Sequence, residues 1–179
     1  MSASQPHGGS RDDVALRLMY NSFVRLFWRI ELFEQTVASL TEHGYDVVRL
    51  DASAWAQASD LHRNIAAALD FPDYYGHNLD ALNDCLSDVV AAEYGIDASA
   101  AGFVLAFTGY DKFAAHCPRE AHVTLDIVAD QARRALLAGR RVCCLVQSDD
   151  PTIRFEPVGA MPVMWNDAEW LDSSRRTDA

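Results

Sequence analysis

The chain has 179 residues, half of them hydrophobic, enough for one ordinary globular domain with a real core and about forty residues to spare. Its 26 acidic residues against 15 basic ones leave a formal net charge of −11, which argues against direct nucleic-acid binding, because that rests on clustered Lys and Arg. Cys85, Cys117, Cys143 and Cys144 form neither a CxxC pair nor a disulfide-stapled scaffold, and read as reduced thiols of an intracellular protein.

Residues 1–13, MSASQPHGGSRDD, lack a charged head followed by an apolar core and read as a disordered lead-in rather than a signal peptide. In the stretch that follows, Arg17, Arg25 and Arg29 interrupt every apolar run well short of the ~20 residues a membrane span needs. A soluble, cytoplasmic protein without a membrane partner is expected. The next segment predicts one long helix or two, with Ser10 and Asp13 resembling a capping box and Gly44 where a helix stops. Its aromatics, Tyr20, Phe23, Phe27, Trp28 and Phe33, make residues 14–45 an N-terminal helical extension packed on a core, or alternatively a self-association face.

YDVVRLDAS then predicts a short strand, and SDLHRNIAAALDFP a helix capped by Ser59 or Asp60 and ended near Pro72. Gly76 breaks the chain and Asn78 suits an N-cap, so the next helix starts at Leu79 and runs through Val90. On a wheel of about 100° per residue, Leu79, Leu82, Leu86, Val89 and Val90 share one face, with Asp80, Asp84 and Asp88 opposite. Like charges at i,i+4 cost only roughly 0.2–0.5 kcal/mol each, so a solvated face is tolerable. Yet between Arg63 and Lys112 lie eight acids and no Lys or Arg, whereas solvated helices normally intersperse both signs. Pattern alone leaves a solvated face and a cation-binding face both open. In the second reading, Tyr74 and Tyr75 at the helix entry add stacking surface, and the row of carboxylates mimics a chain of phosphates.

FVLAFTGY and VCCLV are apolar runs without alternation, as in strands covered on both faces of a parallel sheet. HVTLDIVADQARRALLAG between them has helical spacing and closes at Gly139. The fold class is therefore α/β with a small parallel sheet. Pro151, Pro157 and Pro162 in the tail disfavour a central strand but allow an edge hairpin or an extended flap, and the last residues read as frayed.

SDLHRNIAAALDFPDYYGHNLDALNDCL resembles the signature segment of the barstar family, intracellular inhibitors of small secreted ribonucleases such as barnase. The resemblance runs more loosely over residues 46–147, leaving 148–179 as a C-terminal extension, and implies a three-stranded parallel sheet packed with helices. It implies no cofactor and no catalysis, and an inhibitor or immunity protein whose partner is a basic extracellular-type ribonuclease or nuclease toxin. By position it implies that Asp84 enters the nuclease's phosphate site, that Asp80 meets a further basic residue, and that Tyr74 packs over the catalytic histidine. Tyr75, Gly76 and Asn78 would present the helix, with Asn83 and Asp88 on the contact face. The chain departs from the family's founding member at Asn83, where that protein has tryptophan, and at Asp88-Val89, where it has Gly-Trp. It also inserts about ten residues in AAEYGIDASAAG and places Arg134 where that member has a contacting glutamate.

Two other readings remain: the same fold turned to a partner that is not a nuclease, and a hydrolase using His77 with paired Asp80 and Asp84. His116, Cys117 and His122 match no standard zinc spacing and lack a fourth ligand, so no metal is expected.

Overall fold

The computed structural model describes residues 14–19 and 21–176; the lead-in and the Ser10–Asp13 cap fall outside them. The elements in chain order are α1 (Val14–Met19), β1 (Val24–Phe27), α2 (Ile30–Glu42), β2 (Tyr45–Asp51), α3 (Ala58–Ala68), α4 (Leu79–Val90), β3 (Gly102–Thr108), α5 (Tyr110–His116), α6 (Pro118–Leu137), β4 (Val142–Gln147), β5 (Met164–Trp165) and α7 (Ser173–Arg176). Among the described residues no helix is long and apolar enough to cross a membrane.

The strands form one sheet in the order β2-β3-β4-β1-β5, every pairing parallel. The sheet therefore has five strands, not the three that the resemblance implies. The expected strands are β2, β3 and β4, adjacent at one side of the sheet; β1 and β5 extend it from the two ends of the chain. The connection from β1 to β2 runs one way along the sheet, and those from β2 to β3 and β4 run the other. Right-handed crossovers then put α2 on one face and α3 to α6 on the opposite one. Phe27 meets Phe33 of α2 edge-on, ring centroids 5.7 Å apart, while Phe107 stacks toward Trp55 and Tyr110 on the far face. With both faces covered, β3 and β4 bury nearly every residue, and their apolar runs need no alternation.

The N-terminal segment differs from the helical expectation. Phe23 and Phe27 are four apart, a helical spacing, but Val24–Phe27 is a strand lying between β4 and β5. Asn21 takes a positive φ of 65°, and the Ser22 hydroxyl donates to Pro162 O at 2.8 Å while accepting from Val24 N at 3.1 Å. That turn, together with hydrogen-bonding partners on both sides, overrides local helical periodicity. The tail supplies the edge strand β5, joined to a small antiparallel bridge between Val158 and Met161. Residues after it are well tied: Asn166 N donates to Leu26 O at 2.9 Å, and Arg175 lies over the Trp165 ring at 4.2 Å. The α3 cap also shifts: Gln57 is the N-cap, and Asp60 at N3 accepts from Gln57 N at 3.2 Å and Ala56 N at 3.0 Å.

Candidate functional site

Helix α4 starts because Asn78, extended at φ −138°, turns its side-chain oxygen to Ala81 N at 2.9 Å and satisfies an otherwise unpaired donor of the first turn. Its inner face buries Leu82, Cys85, Leu86, Val89 and Val90. Asp80 and Asp84 are exposed on the outer face, and Asp80 lies in the first turn, where the helix dipole favours negative charge. Asp88 is half-buried, and the Tyr94 hydroxyl stands 3.4 Å from Oδ2 and 3.2 Å from Cys85 O. The insertion after α4 thus folds back on the helix, helped by Gly95, whose φ of 77° and 2.2 Å approach of Leu69 O to an added Cβ leave no room for a side chain. Among the described residues, no ion pair engages Asp80, Asp84 or Asp88.

The adjacent tyrosines part company. Tyr74 is 79% exposed, whereas Tyr75 is 5% exposed, so only the first offers a surface ring. Tyr75 instead shares a 2.5 Å hydrogen bond with His62 Nδ1 and stacks near Phe71 and His77 at 4.8 Å each. Burial pushes the Tyr75 hydroxyl well above its ordinary pKa. Burial, followed by nearby His77, lowers the His62 pKa below 6.5 against a smaller pull upward from Glu120. Tyr75 therefore anchors the loop from the inside rather than contributing a contact ring. Gly76 and His77 are exposed beside it, His77 with a positive φ of 51°.

Asn83, between the two exposed acids, is only partly exposed. Gln131 of α6, 2% exposed, donates through Nε2 to Asn83 Oδ1 at 2.9 Å and to its carbonyl at 3.3 Å. This bond ties α4 to α6. Arg134 is 65% exposed but pairs with Asp130 at 2.9 Å, so its charge is partly offset within α6. Gln131 and Tyr94 are contributors that pattern reading passed over. The signal for Gln131 was a polar side chain on the mainly apolar stripe of α6, and Tyr94 sits in an insertion with no period to read.

The pieces brought together are a stiff helix presenting two unpaired carboxylates, with an exposed ring at its entry. Such a face can form charge-assisted hydrogen bonds with Arg or Lys of a partner. His77, Asp80 and Asp84 are all exposed, at the entry and on the outer face of α4. Among the described residues, no three His, Cys, Asp or Glu side chains gather as metal ligands would.

The model of the family described as Barstar (barnase inhibitor) matches residues 45–147, more than half of the chain. The chain belongs to the barstar family. A curated relative, named "Putative ribonuclease inhibitor YrdF", of Bacillus subtilis (strain 168), is 50% identical over 38 residues, which are 21% of this chain and 42% of that protein. The match thus spans less than half of the relative's own length. Within the barstar-matched region lie β2, β3, β4 and helices α3 to α6, including every residue from Tyr74 to Asp88; α1, β1, α2 and β5 lie outside it.

Proposed function

We propose that this protein is a barstar-type inhibitor that blocks the active site of a basic ribonuclease, placing Asp84 in its phosphate-binding pocket with Asp80 and Tyr74 alongside. The observation that carries this is the pair of exposed carboxylates on α4, neither engaged in an ion pair among the described residues. An exposed acid that is not already paired is available to a partner, and the fixed helix means little entropy is lost in positioning it. Family membership and the relative's name as a ribonuclease inhibitor support the same reading. Asn83 and Asp88 complete the contact face, while Tyr75, Gly76 and Asn78 hold the loop and helix start in shape. The inhibitor performs no chemistry: it occupies the pocket and excludes RNA.

The test is stopped-flow association with a barnase-type ribonuclease across ionic strength. Complementary charge should give fast association that slows steeply with salt. Asp84→Ala should weaken binding by about 2–5 kcal/mol, a figure from charge pairs of the barnase–barstar kind, because it strands buried cations on the nuclease. Equal affinity of Asp84→Ala and the parent would refute the assignment. The same fold turned to a partner that is not a nuclease draws on the 65% exposure of Arg134, a cation on a surface otherwise suited to basic partners. Capture from the source cell of proteins unrelated to RNA cleavage, with no nuclease among them, would favour that second reading.

A further inference from the structure

The sheet ends in two unequal edges. Strand β5 is two residues long, too short to template a neighbour, whereas β2 runs seven residues, Tyr45–Asp51, and pairs only with β3. The direction of its bonds follows from its two ends: Gly44 O accepts from Ala101 N, and Ala52 N donates to Thr108 O, each at 2.9 Å. Along a strand, successive residues turn their amide and carbonyl to opposite sides. Asp46, Val48 and Leu50 therefore face β3, and Val47 and Arg49 face outward. Among the described residues the backbone groups of Val47 and Arg49 take no hydrogen bond.

Open edges are normally guarded by Lys, Pro, a bulge or a charge held across them. Strand β2 has no Lys or Pro, and its three charged side chains are turned back on their own chain. Asp46 accepts from Asp97 N at 2.7 Å, and Asp51 from Ser53 N at 2.9 Å. Arg49 pairs with Glu34 of α2 and lies over the Phe33 ring, 5.9 Å from its centroid. The middle of the edge is left to Val47 and Val48, both partly exposed.

We propose that β2 pairs antiparallel with β2 of a second copy, joining two sheets about a two-fold axis through Val48. A second copy fits because the strand is complementary to itself. Val48 is its midpoint, so this register overlaps all seven residues. Val47 then lies opposite Arg49 of the second copy, and every outward backbone group of the two residues is satisfied. Val48 meets Val48, Asp46 meets Leu50 and Asp51 meets Tyr45, so no like charges are opposed. Moving the axis to Arg49 would oppose two guanidinium groups, and moving it to Val47 would leave part of each strand unpaired. The pairing does not depend on what α4 binds.

The test is sedimentation velocity of the full chain over a wide concentration range, at low and high salt. The chain should dimerise reversibly. Because each copy carries a formal charge of −11, added salt should tighten the dimer, the reverse of its effect on a complex with a basic partner. Val47→Pro removes an outward N–H but no bond to β3, and proline is tolerated on edge strands; it should be monomeric while folded by circular dichroism. Val48→Glu and Val48→Lys each set like charges against each other on the axis and should weaken the dimer about fivefold, whereas their equimolar mixture should recover a mixed dimer. If Val47→Pro fails to fold, the Val48 pair decides. A parent that stays monomeric throughout would overturn the proposal and leave the edge to an extended segment of a different protein. A dimer that survives Val47→Pro and both Val48 variants, or a mixture no tighter than either variant alone, would overturn it as well.

Discussion

Glu169 offers the sharpest test of how the two ends of the chain are joined. Its side chain is fully buried, and its carboxylate accepts from Trp28 N and Arg29 N at 2.8 Å each and from the Asn166 side chain. Those two amides lie where β1 ends and α2 begins, so a residue near the C-terminus satisfies the donors of an N-terminal helix and meets the positive end of its dipole. Glu169→Ala would leave both partly buried amides without their acceptor, at about 1–3 kcal/mol each. Arg29 adds little to the loss: it is 45% exposed, stands 3.8 Å from Glu169 and also pairs with Asp172, so solvent screens its share. The sum is roughly 3–5 kcal/mol, a large part of the ~5–15 kcal/mol that holds a typical domain together. For a chain of this size that lowers the unfolding temperature by roughly 6–20 °C. Urea unfolding followed by tryptophan fluorescence measures it. A Glu169→Ala protein within about 1 kcal/mol of the parent would show that the C-terminal segment is not a structural part of the α2 terminus.

Fragment 45–147, the barstar-matched region alone, is expected to be unfolded or aggregated, because it leaves the β1-facing edge of β4 bare; a monomeric, cooperatively folding fragment by circular dichroism and sedimentation would count against this. Asn78→Ala removes the α4 cap and should cost about 1 kcal/mol of stability, with a parallel loss of affinity for the proposed ribonuclease partner. For His62 the folded pKa lies below the unfolded value of 6.5. The unfolded chain therefore binds more protons there, and this contribution is complete above about pH 6.5 and declines as the pH falls toward the folded pKa. In His62→Asn that decline, read as stability against pH, should largely vanish. Gln131→Leu, which frees Asn83 but keeps α6 packed, should reduce affinity for the proposed ribonuclease partner several-fold with little change in unfolding temperature; an unaltered affinity would remove Gln131 from the positioning role.

Much of the centre of this protein was legible in its residues. Helix α4 announces itself by Asn78, the leucine stripe and the opposed aspartates, and β3 and β4 by apolar runs, because caps and periodicity are properties of neighbours in sequence. The motif around PDYYGHNLD carried the family. Strand β1 was not legible, and of β5 only the possibility of an edge hairpin in the tail was. Val24–Phe27 is only four residues long, its aromatic spacing imitates a helix, and it becomes a strand because Cys144 and Trp165, far along the chain, lie beside it. Nor could spacing distinguish Tyr74 from Tyr75, identical neighbours of which one faces solvent and the other is drawn inward by His62. The same limit applies to Asn83, held by Gln131, and to Glu169, whose hydrogen-bonding partners lie some 140 positions earlier. Local chemistry decides which segments can be helix or strand; which hydrogen-bonding groups find each other across the chain is decided only when the layers close.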